Sequence, residues 1–355
     1  MSVFDLLLKK MISGICEEMK AEMKAAYQPE VLREAKAIFG LDSVSESEFI
    51  KGFESLVFWG QKSGQAWILK LYHESHRSLE EIASELEWIR FLGRRGLRVP
   101  GLLPSQNQQL FEILSQGFVG VCFEKLKGEL FQVNHITPAF LRILGEIYAL
   151  MHLAAQEVHE HLASPLIRPQ WYENPKLNFE SALPPTDFEI LGIAQETKAE
   201  LLQLPKAKQL YGLIHGDLHS GNFFVDTNAL IPLHQIQIFD FDDSEFHWFA
   251  NDLAIGLYYF LLKTPPQEHI GLAQRFLTSV KQGYQLHAEW PSPFDTVLPL
   301  FMRWRDLLVY NLMQQIAAEH CNDPAFQGAM QARRQRILSR DAGCFQGLSK
   351  IFRWF

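Results

Sequence analysis

The stretch Leu213-Ile214-His215-Gly216-Asp217-Leu218-His219-Ser220-Gly221-Asn222, continued after a strand, a loop and a second strand by Phe239-Asp240-Phe241-Asp242-Asp243, decides how the rest of the chain is read. Three readings compete for it. His215, Asp217 and His219 have the alternating spacing of an HxDxH zinc cluster. No second His-rich cluster follows, however, and His152, His159, His161, His234 and His247 are dispersed. As ordinary structural residues, His215 would be a satisfied loop histidine and the carboxylates would cap helices. That explains each residue singly, and not why Asp, Asn and Asp punctuate strand ends together. Phosphoryl transfer explains them jointly. One carboxylate orients the acceptor hydroxyl and takes its proton, while an amide and a second carboxylate hold Mg2+ against nucleotide phosphates. Asp217 is then the catalytic carboxylate, and Asn222 and Asp240 are the metal ligands.

Outward from this stretch the chain divides in two. From Glu48 to Phe123 the pattern is strand-rich. Phe49–Phe53, Leu56–Trp59 and Ala66–Tyr72 are expected strands with a hairpin turn at residues 61–64, a helix spans Leu79–Leu92, and strand-like pieces follow at Leu110–Leu114 and Val119–Phe123. Lys127-Gly128 interrupts the pattern. Beyond it helices are expected at Thr137–His152, Thr186–Leu202, Asp252–Leu262, about 271–286 and Asp295–Glu319, with one β insertion at Phe223–Val225 and Gln235–Phe239. The division is therefore an N-terminal helical extension over residues 1–44, a strand-rich lobe over 45–126 and a helical lobe over 127–355. In the extension, residues 3–25 carry apolar side chains at helical steps, and a second helix opens at Pro29 and closes at Gly40. These helices pack on the body, pair two copies of the chain, or lie on a membrane surface.

Composition bounds the function. The 355 residues are 47% hydrophobic and 21% charged, enough to bury a core. With 33 Lys+Arg against 41 Asp+Glu, a formal charge of −8 and no basic block, binding to nucleic acid is not expected. Cys16, Cys122, Cys321 and Cys344 lack the clustering of a disulfide framework or zinc ribbon, which points to a reducing cytoplasm. The N-terminus lacks the pattern of a secretory signal, and the longest apolar run, Leu253–Leu262, is too short for a bilayer span. The chain holds 27 Phe, 9 Tyr and 8 Trp, an aromatic excess that composition alone does not interpret.

His215-Gly216-Asp217 with Asn222, Asp240-Phe241-Asp242, and Trp248 followed by Asn251-Asp252-Leu253-Ala254 resemble the aminoglycoside phosphotransferase/choline kinase type of the protein-kinase-like superfamily. The closer resemblance is to the bacterial phosphotransferase enzyme family. Ser75-His76-Arg77-Ser78, Arg168-Pro169-Gln170-Trp171-Tyr172-Glu173 and Asp240–Asp243-Ser244-Glu245 are of the same kind, and the resemblance covers about residues 45–345. It implies an α+β, protein-kinase-like bilobal fold with a small antiparallel-sheet N-lobe and a larger, mostly helical C-lobe. It also implies ATP with Mg2+, although the motifs do not separate ATP from GTP.

A kinase-like nucleotide site needs a strand lysine on the phosphates and a helix glutamate to aim it. Lys70, closing Ala66–Lys70, suits the first role. Of Glu80, Glu81, Glu85 and Glu87, Glu85 has the spacing to Ile89 and Leu92 seen in the resembling family, with Glu81 one turn earlier as fallback. Taken alone, Lys70–Glu85 would be an ordinary salt bridge. Gly52-Phe53-Glu54-Ser55 stands where a phosphate-covering loop belongs, without the GxGxxG pattern. Gly52 and Ser55 either contact phosphate or make an ordinary turn. Phe123-Glu124-Lys125-Leu126 is the expected hinge, with Glu124 and Leu126 reading the base through backbone groups.

After Asp240 the chain reaches Asn251-Asp252 within a dozen residues, too few for a long activation segment, so a small-molecule hydroxyl acceptor is expected. A Ser/Thr protein kinase is the rival in substrate. A nucleotide-binding pseudokinase is the rival in class, and it predicts loss of at least one of Lys70, Asp217, Asn222 and Asp240, all of which are present. Asp242 either assists Mg2+ or faces the substrate. Asp243 and Glu245 would attract an amine, favouring amino-alcohol or aminoglycoside-like acceptors. Arg168, Arg303 or Arg305 would instead hold the carboxylate of a homoserine-like acceptor, although Arg303 and Arg305 point apart on their helix and ion pairing on the helix surface is the more ordinary role for them. Trp171 and Tyr172 are expected either in a loop over the acceptor or as aromatics that cover the core, with Trp248, Tyr258, Tyr259 and Trp304 in segments that would wall the acceptor side. His215 is expected to brace the catalytic loop, His219 to sit at the substrate mouth, and His152 to be a packed core histidine.

Overall fold

The alternation Leu56, Phe58 and Leu69, Leu71 sets the inner face of an antiparallel sheet whose other face carries Lys70. The computed structural model describes residues 23, 25–45, 55–161, 165–318 and 320–340. The expected helix over residues 3–25, apart from its last turn, and the expected strand Phe49–Phe53 lie outside them. The described chain forms two compact units that divide at Lys127/Gly128, with residues 165–167 returning to the first.

The first unit begins with helix α1 (Pro29–Phe39), followed by β1 (Ser43–Val44), β2 (Ser55–Lys62), β3 (Gln65–His73), helix α2 (Leu79–Arg94), β4 (Phe111–Ile113) and β5 (Phe118–Glu124). The strands form one sheet in the order β1-β2-β3-β5-β4. Ser63 (φ 51) and Gly64 (φ 78) alone make the β2–β3 turn, a two-residue connection that needs both in the left-handed region. The strands consequently run longer than the sequence pattern marks.

Register places Phe58 opposite Leu69 and Leu69 opposite Cys122. That face packs with Val31, Leu32, Ala35 and Phe39 of α1 into one core. The apolar stripe of α1 is thus spent inside its own unit. Helix α2 opens on a capping box in which Ser78 and Glu81 satisfy each other's backbone N–H. Its buried residues Ile82, Glu85, Ile89 and Leu92 share a helical stripe.

The second unit continues with β6 (Glu129–Leu130), α3 (Pro138–His161), α4 (Phe179–Ala182), α5 (Phe188–Leu202), β7 (Tyr211–Ile214), β8 (Phe223–Val225), β9 (Ile236–Ile238), β10 (Glu245–Trp248), α6 (Phe249–Leu262), α7 (His269–Tyr284), α8 (Phe294–Gln315) and α9 (Pro324–Leu338). Helix α3 runs nine residues past His152, because Ala154, Ala155 and Val158 keep its buried face apolar. By length and composition α3 resembles a membrane span, but 67% of that window is buried in the protein, as in a core helix. It packs closely on α7: a Cβ on Gly283 would lie 1.9 Å from the Arg142 carbonyl oxygen, so only glycine permits this approach.

Strands β7 and β10 pair antiparallel, with Ile214 opposite Glu245, and β8 lies between β6 and β9. These short ladders end at the residues quoted first. Residues 215–222 link β7 to β8, and residues 239–244 link β9 to β10.

Candidate active site

In the first unit, the sheet face opposite α1 carries Lys70 and Tyr72, with Lys70 paired to Val57 and Val121, and Tyr72 to Ser55. Lys70 is buried, its ammonium 5.0 Å over the Tyr72 ring. The Tyr72 hydroxyl donates to Glu85 Oε1 at 3.2 Å, so one tyrosine touches both the strand lysine and the helix glutamate. Glu81 is spent on the helix cap. Ser55 points to the same face, and its buried hydroxyl has no hydrogen-bond partner among the described residues. An orphaned buried hydroxyl costs about 1–3 kcal/mol, which an incoming phosphate oxygen would relieve. Gly52 lies outside the described residues.

Glu124 is held by Arg98 through two hydrogen bonds (2.7 and 3.0 Å) and by the Gly101 N–H (3.2 Å). Burial pushes its carboxyl up, but the Arg98 hydrogen bond and charge outweigh this and leave it below its ordinary value. The Glu124 N–H also donates to the Gly101 carbonyl at 2.7 Å. Any contact it makes with a base therefore falls to its own carbonyl. Leu126 beside it is buried.

In the second unit, the Asn222 amide spends both its hydrogens on Asp217, one on the backbone carbonyl (2.9 Å) and one on Oδ2 (3.2 Å). Its Oδ1 is left as an oxygen donor. The Phe239 N–H donates to the Asn222 carbonyl at 3.0 Å, and the Phe239 carbonyl lies 3.2 Å from His215 Nε2. The residue before Asp240 is thereby tied to the 215–222 loop on both sides. Asp240 itself is left-handed (φ 67), a conformation sparsely used outside glycine and held by its surroundings. Oxygen donors of this kind suit Mg2+, which takes one or two protein ligands and draws the rest from phosphates and water. Among the described residues no group of three or more His, Cys, Asp or Glu forms a metal cage.

His215 is the brace of this loop. Its ring packs on Phe241 with centroids 4.6 Å apart, and its Nδ1 accepts from the Asp217 N–H at 3.3 Å. Burial lowers its pKa to about 4, so Nε2 carries the only ring proton, directed at Phe239. Asp252, completely buried on α6, accepts the backbone N–H groups of His215 and Gly216, each at 3.0 Å. Burial raises its pKa to about 7 against the pull of those two donors. Gly216 (φ 78) lies so close to the Asp243 carbonyl that a Cβ would sit 2.1 Å from it.

His219 is buried, its ring tilted 60° against that of Tyr259 with centroids 4.7 Å apart and Nε2 3.5 Å from Asp217 Oδ2, so it faces the carboxylate rather than solvent. Asp217 Oδ1 pairs with Arg305, whose guanidinium also reaches the Tyr259 hydroxyl at 2.8 Å. Asp243 pairs with Lys176, and Glu245 accepts from the Asn174 amide at 3.2 Å. Burial raises the Glu245 pKa to about 8.

Several sequence expectations need correction here. Arg168 donates to the backbone carbonyls of Phe241, Asp242 and Ser244, so it shapes the Asp240–Ser244 turn instead of holding an acceptor. Arg303 pairs with Glu200. Trp171 is fully buried against His247, Trp248 and Trp304 and offers no face to a ligand, whereas Tyr172 beside it is 40% exposed. Trp248, Tyr258 and Trp304 belong to the core as well, while Tyr259 reaches the site through Arg305. His152 is stacked on Phe249 and lies 3.1 Å from the Tyr284 hydroxyl, as a core histidine should.

Residues 46–290 match the phosphotransferase enzyme family. The chain belongs to that family. It is 31% identical over 300 residues to an amicoumacin kinase of Bacillus subtilis (strain 168), covering 82% of this chain and 87% of the relative. Among solved structures, amicoumacin kinase hAmiN in complex with AMP-PNP, Ca2+ and Ami superposes with a TM-score of 0.83 at 26% identity, over 92% of this chain and 97% of that one. A microcompartment-associated aminopropanol kinase shares the fold, with a TM-score of 0.68 at 22% identity over 88% of this chain and 99% of its own. The chain is therefore a small-molecule kinase of protein-kinase-like α+β fold, a phosphotransferase with an alcohol group as acceptor.

Proposed function

We propose that this chain transfers the γ-phosphoryl group of ATP to a hydroxyl of an amine-bearing small molecule. The observation that carries the reading is the Asp217–Asn222 pair. The amide nitrogen holds the carboxylate and leaves its own oxygen uncommitted, in a loop tied to the strand end that leads into Asp240. Asp217 would accept the acceptor's hydroxyl proton as the acceptor oxygen bonds to the γ-phosphorus and the bond to the β–γ bridging oxygen breaks, releasing ADP. Asn222 Oδ1 and Asp240 would hold Mg2+, which neutralises phosphate charge. Lys70, steadied through Tyr72 and Glu85, would meet the triphosphate with the Ser55 hydroxyl, and Glu124 and Leu126 would meet the base through their backbone. Residues 45–126 would thus form the nucleotide lobe and 127–355 the acceptor lobe, with 1–44 as the leading extension.

The acceptor is argued from charge. The three arginines that might have bound a carboxylate are committed to backbone carbonyls, to Glu200 and to Asp217. Asp243, in the turn after Asp240, carries a charge that Lys176 balances here and that an acceptor's ammonium group would share, while Glu245, the first residue of β10 with its pKa raised to about 8 by burial, adds a hydrogen-bonding carboxyl. An amino alcohol or aminoglycoside-like acceptor fits this set better than homoserine, and the kinship with an amicoumacin kinase supports it. The free thiols Cys122 and Cys321 fit a reducing cytoplasm. The test is an ADP-release screen with Mg–ATP against amicoumacin, 1-amino-2-propanol, spectinomycin and homoserine, with the Asp217→Ala variant as blank. Turnover confined to the amine-bearing alcohols that lack a carboxylate supports the reading, and turnover of homoserine alone refutes it.

A further inference from the structure

The two oxygens of the Asp217 carboxylate are treated differently. Oδ2 faces the Asn222 amide and, more distantly, His219. Oδ1 is taken by Arg305, brought from α8 across 88 positions of sequence. The guanidinium lies 5.1 Å over the Tyr259 ring and donates to its hydroxyl, so both its face and its edge are held. Its neighbours brace it. Asp306 forms a buried cluster with Arg333, Arg336 and Tyr258, the residue beside Tyr259. Two adjacent pairs, Tyr258–Tyr259 and Arg305–Asp306, thus send one partner to the catalytic aspartate and the other to α9.

We propose that Arg305 is the positioning residue of the phosphoryl-transfer carboxylate: it locks Oδ1, holds Asp217 in one rotamer, and leaves Oδ2, on the Asn222 side, to meet the acceptor hydroxyl. The inference rests on the kinase reading above. The acceptor proton passes to Oδ2, and Arg305 stays protonated throughout. A loose phosphoryl-transfer transition state asks more for alignment than for proton abstraction, and alignment is what a locked carboxylate supplies.

The test measures kcat, acceptor KM and Mg–ATP affinity for Arg305→Met, Arg305→Lys and Arg305→Ala. Amicoumacin and 1-amino-2-propanol serve as acceptors, and acceptor-free ATP hydrolysis is the readout if neither is used. Removing the guanidinium should cut the rate by about 10- to 100-fold. Acceptor KM and nucleotide affinity should stay nearly unchanged, Arg305→Lys should be less impaired, and added guanidinium chloride should partly restore Arg305→Ala. A raised acceptor KM with kcat retained would make Arg305 an acceptor-binding residue and overturn the proposal, as would unchanged rates. Should the Arg305 variants fold poorly, Tyr259→Phe removes one anchor and keeps the charge. It should give a smaller loss in kcat alone, and no loss there overturns the proposal too. An active Asp217→Asn variant would sink the kinase reading itself, whereas an inactive one beside a fully active Arg305→Met sinks only this inference.

Discussion

Asp252→Ala removes the acceptor of two buried backbone N–H groups, those of His215 and Gly216, each 3.0 Å from the carboxylate. With no solvent access at the site, both donors lose their partner outright. At about 1–3 kcal/mol for each orphaned group, the native state loses about 2–6 kcal/mol. For a unit of this size that corresponds to a fall in Tm of about 4–24 °C. If the loop instead relaxes to find water, the unit melts near its usual temperature and kcat collapses, because Asp217 and Asn222 lie on that loop. Differential scanning calorimetry together with ADP release separates the two outcomes. A variant with Tm within 2 °C of the parent and kcat within threefold, both about the limit of such measurements, would refute the idea that Asp252 holds the loop from beneath.

Glu245 yields a pH prediction. Its pKa is raised to about 8, so its contribution to stability is complete below the unfolded value near 4.5 and is lost as pH rises through about 8. Glu245→Gln should remove a slope of up to about 1.4 kcal/mol per pH unit across that window, read by urea denaturation at several pH values, and identical slopes in the two proteins would contradict it. Two glycines give opposite signs. Gly283→Ala forces α3 and α7 apart and should cost about 3 kcal/mol or more, whereas Gly192→Ala on α5, with nothing within 4 Å of the new Cβ, should gain about 0.5–1 kcal/mol. Chemical denaturation of both tests the packing account, and equal effects would count against it.

The grouping of Asp217, Asn222 and Asp240 is legible because it is local: Asp217 and Asn222 are five residues apart, and Asp240 follows the next strand pair. Lys70 is picked out by its place at the end of an apolar strand and Glu85 by the family resemblance, and the structure adds Tyr72 as the link between them. The partners of Arg305 and Arg168 are not legible, because they lie 88 and more than 70 positions away and no sequence period reports such pairings. Asp252 carried a usable signal, a lone carboxylate in an otherwise apolar helix, since such a charge must be paired or hydrogen-bonded when buried. Strands β7 and β10 escaped because four-residue segments lack a readable period, and α9 because its charged residues turn inward: Arg333 is buried against Asp306. The aromatic excess is explained mainly by core clusters such as Trp171–Trp248–Trp304 rather than by a ligand wall.

The central claim is that Asp217 serves the transfer step and not nucleotide binding. Asp217→Asn keeps the shape of the side chain and loses the charge that receives the acceptor proton. Paired measurements of Mg–ATP affinity by calorimetry and of phosphoryl transfer to amicoumacin or 1-amino-2-propanol test this directly. The account predicts nucleotide affinity within threefold of the parent and a rate lower by about 100-fold or more, the scale of a lost proton acceptor. Retained turnover, or turnover and nucleotide affinity lost together, would contradict it.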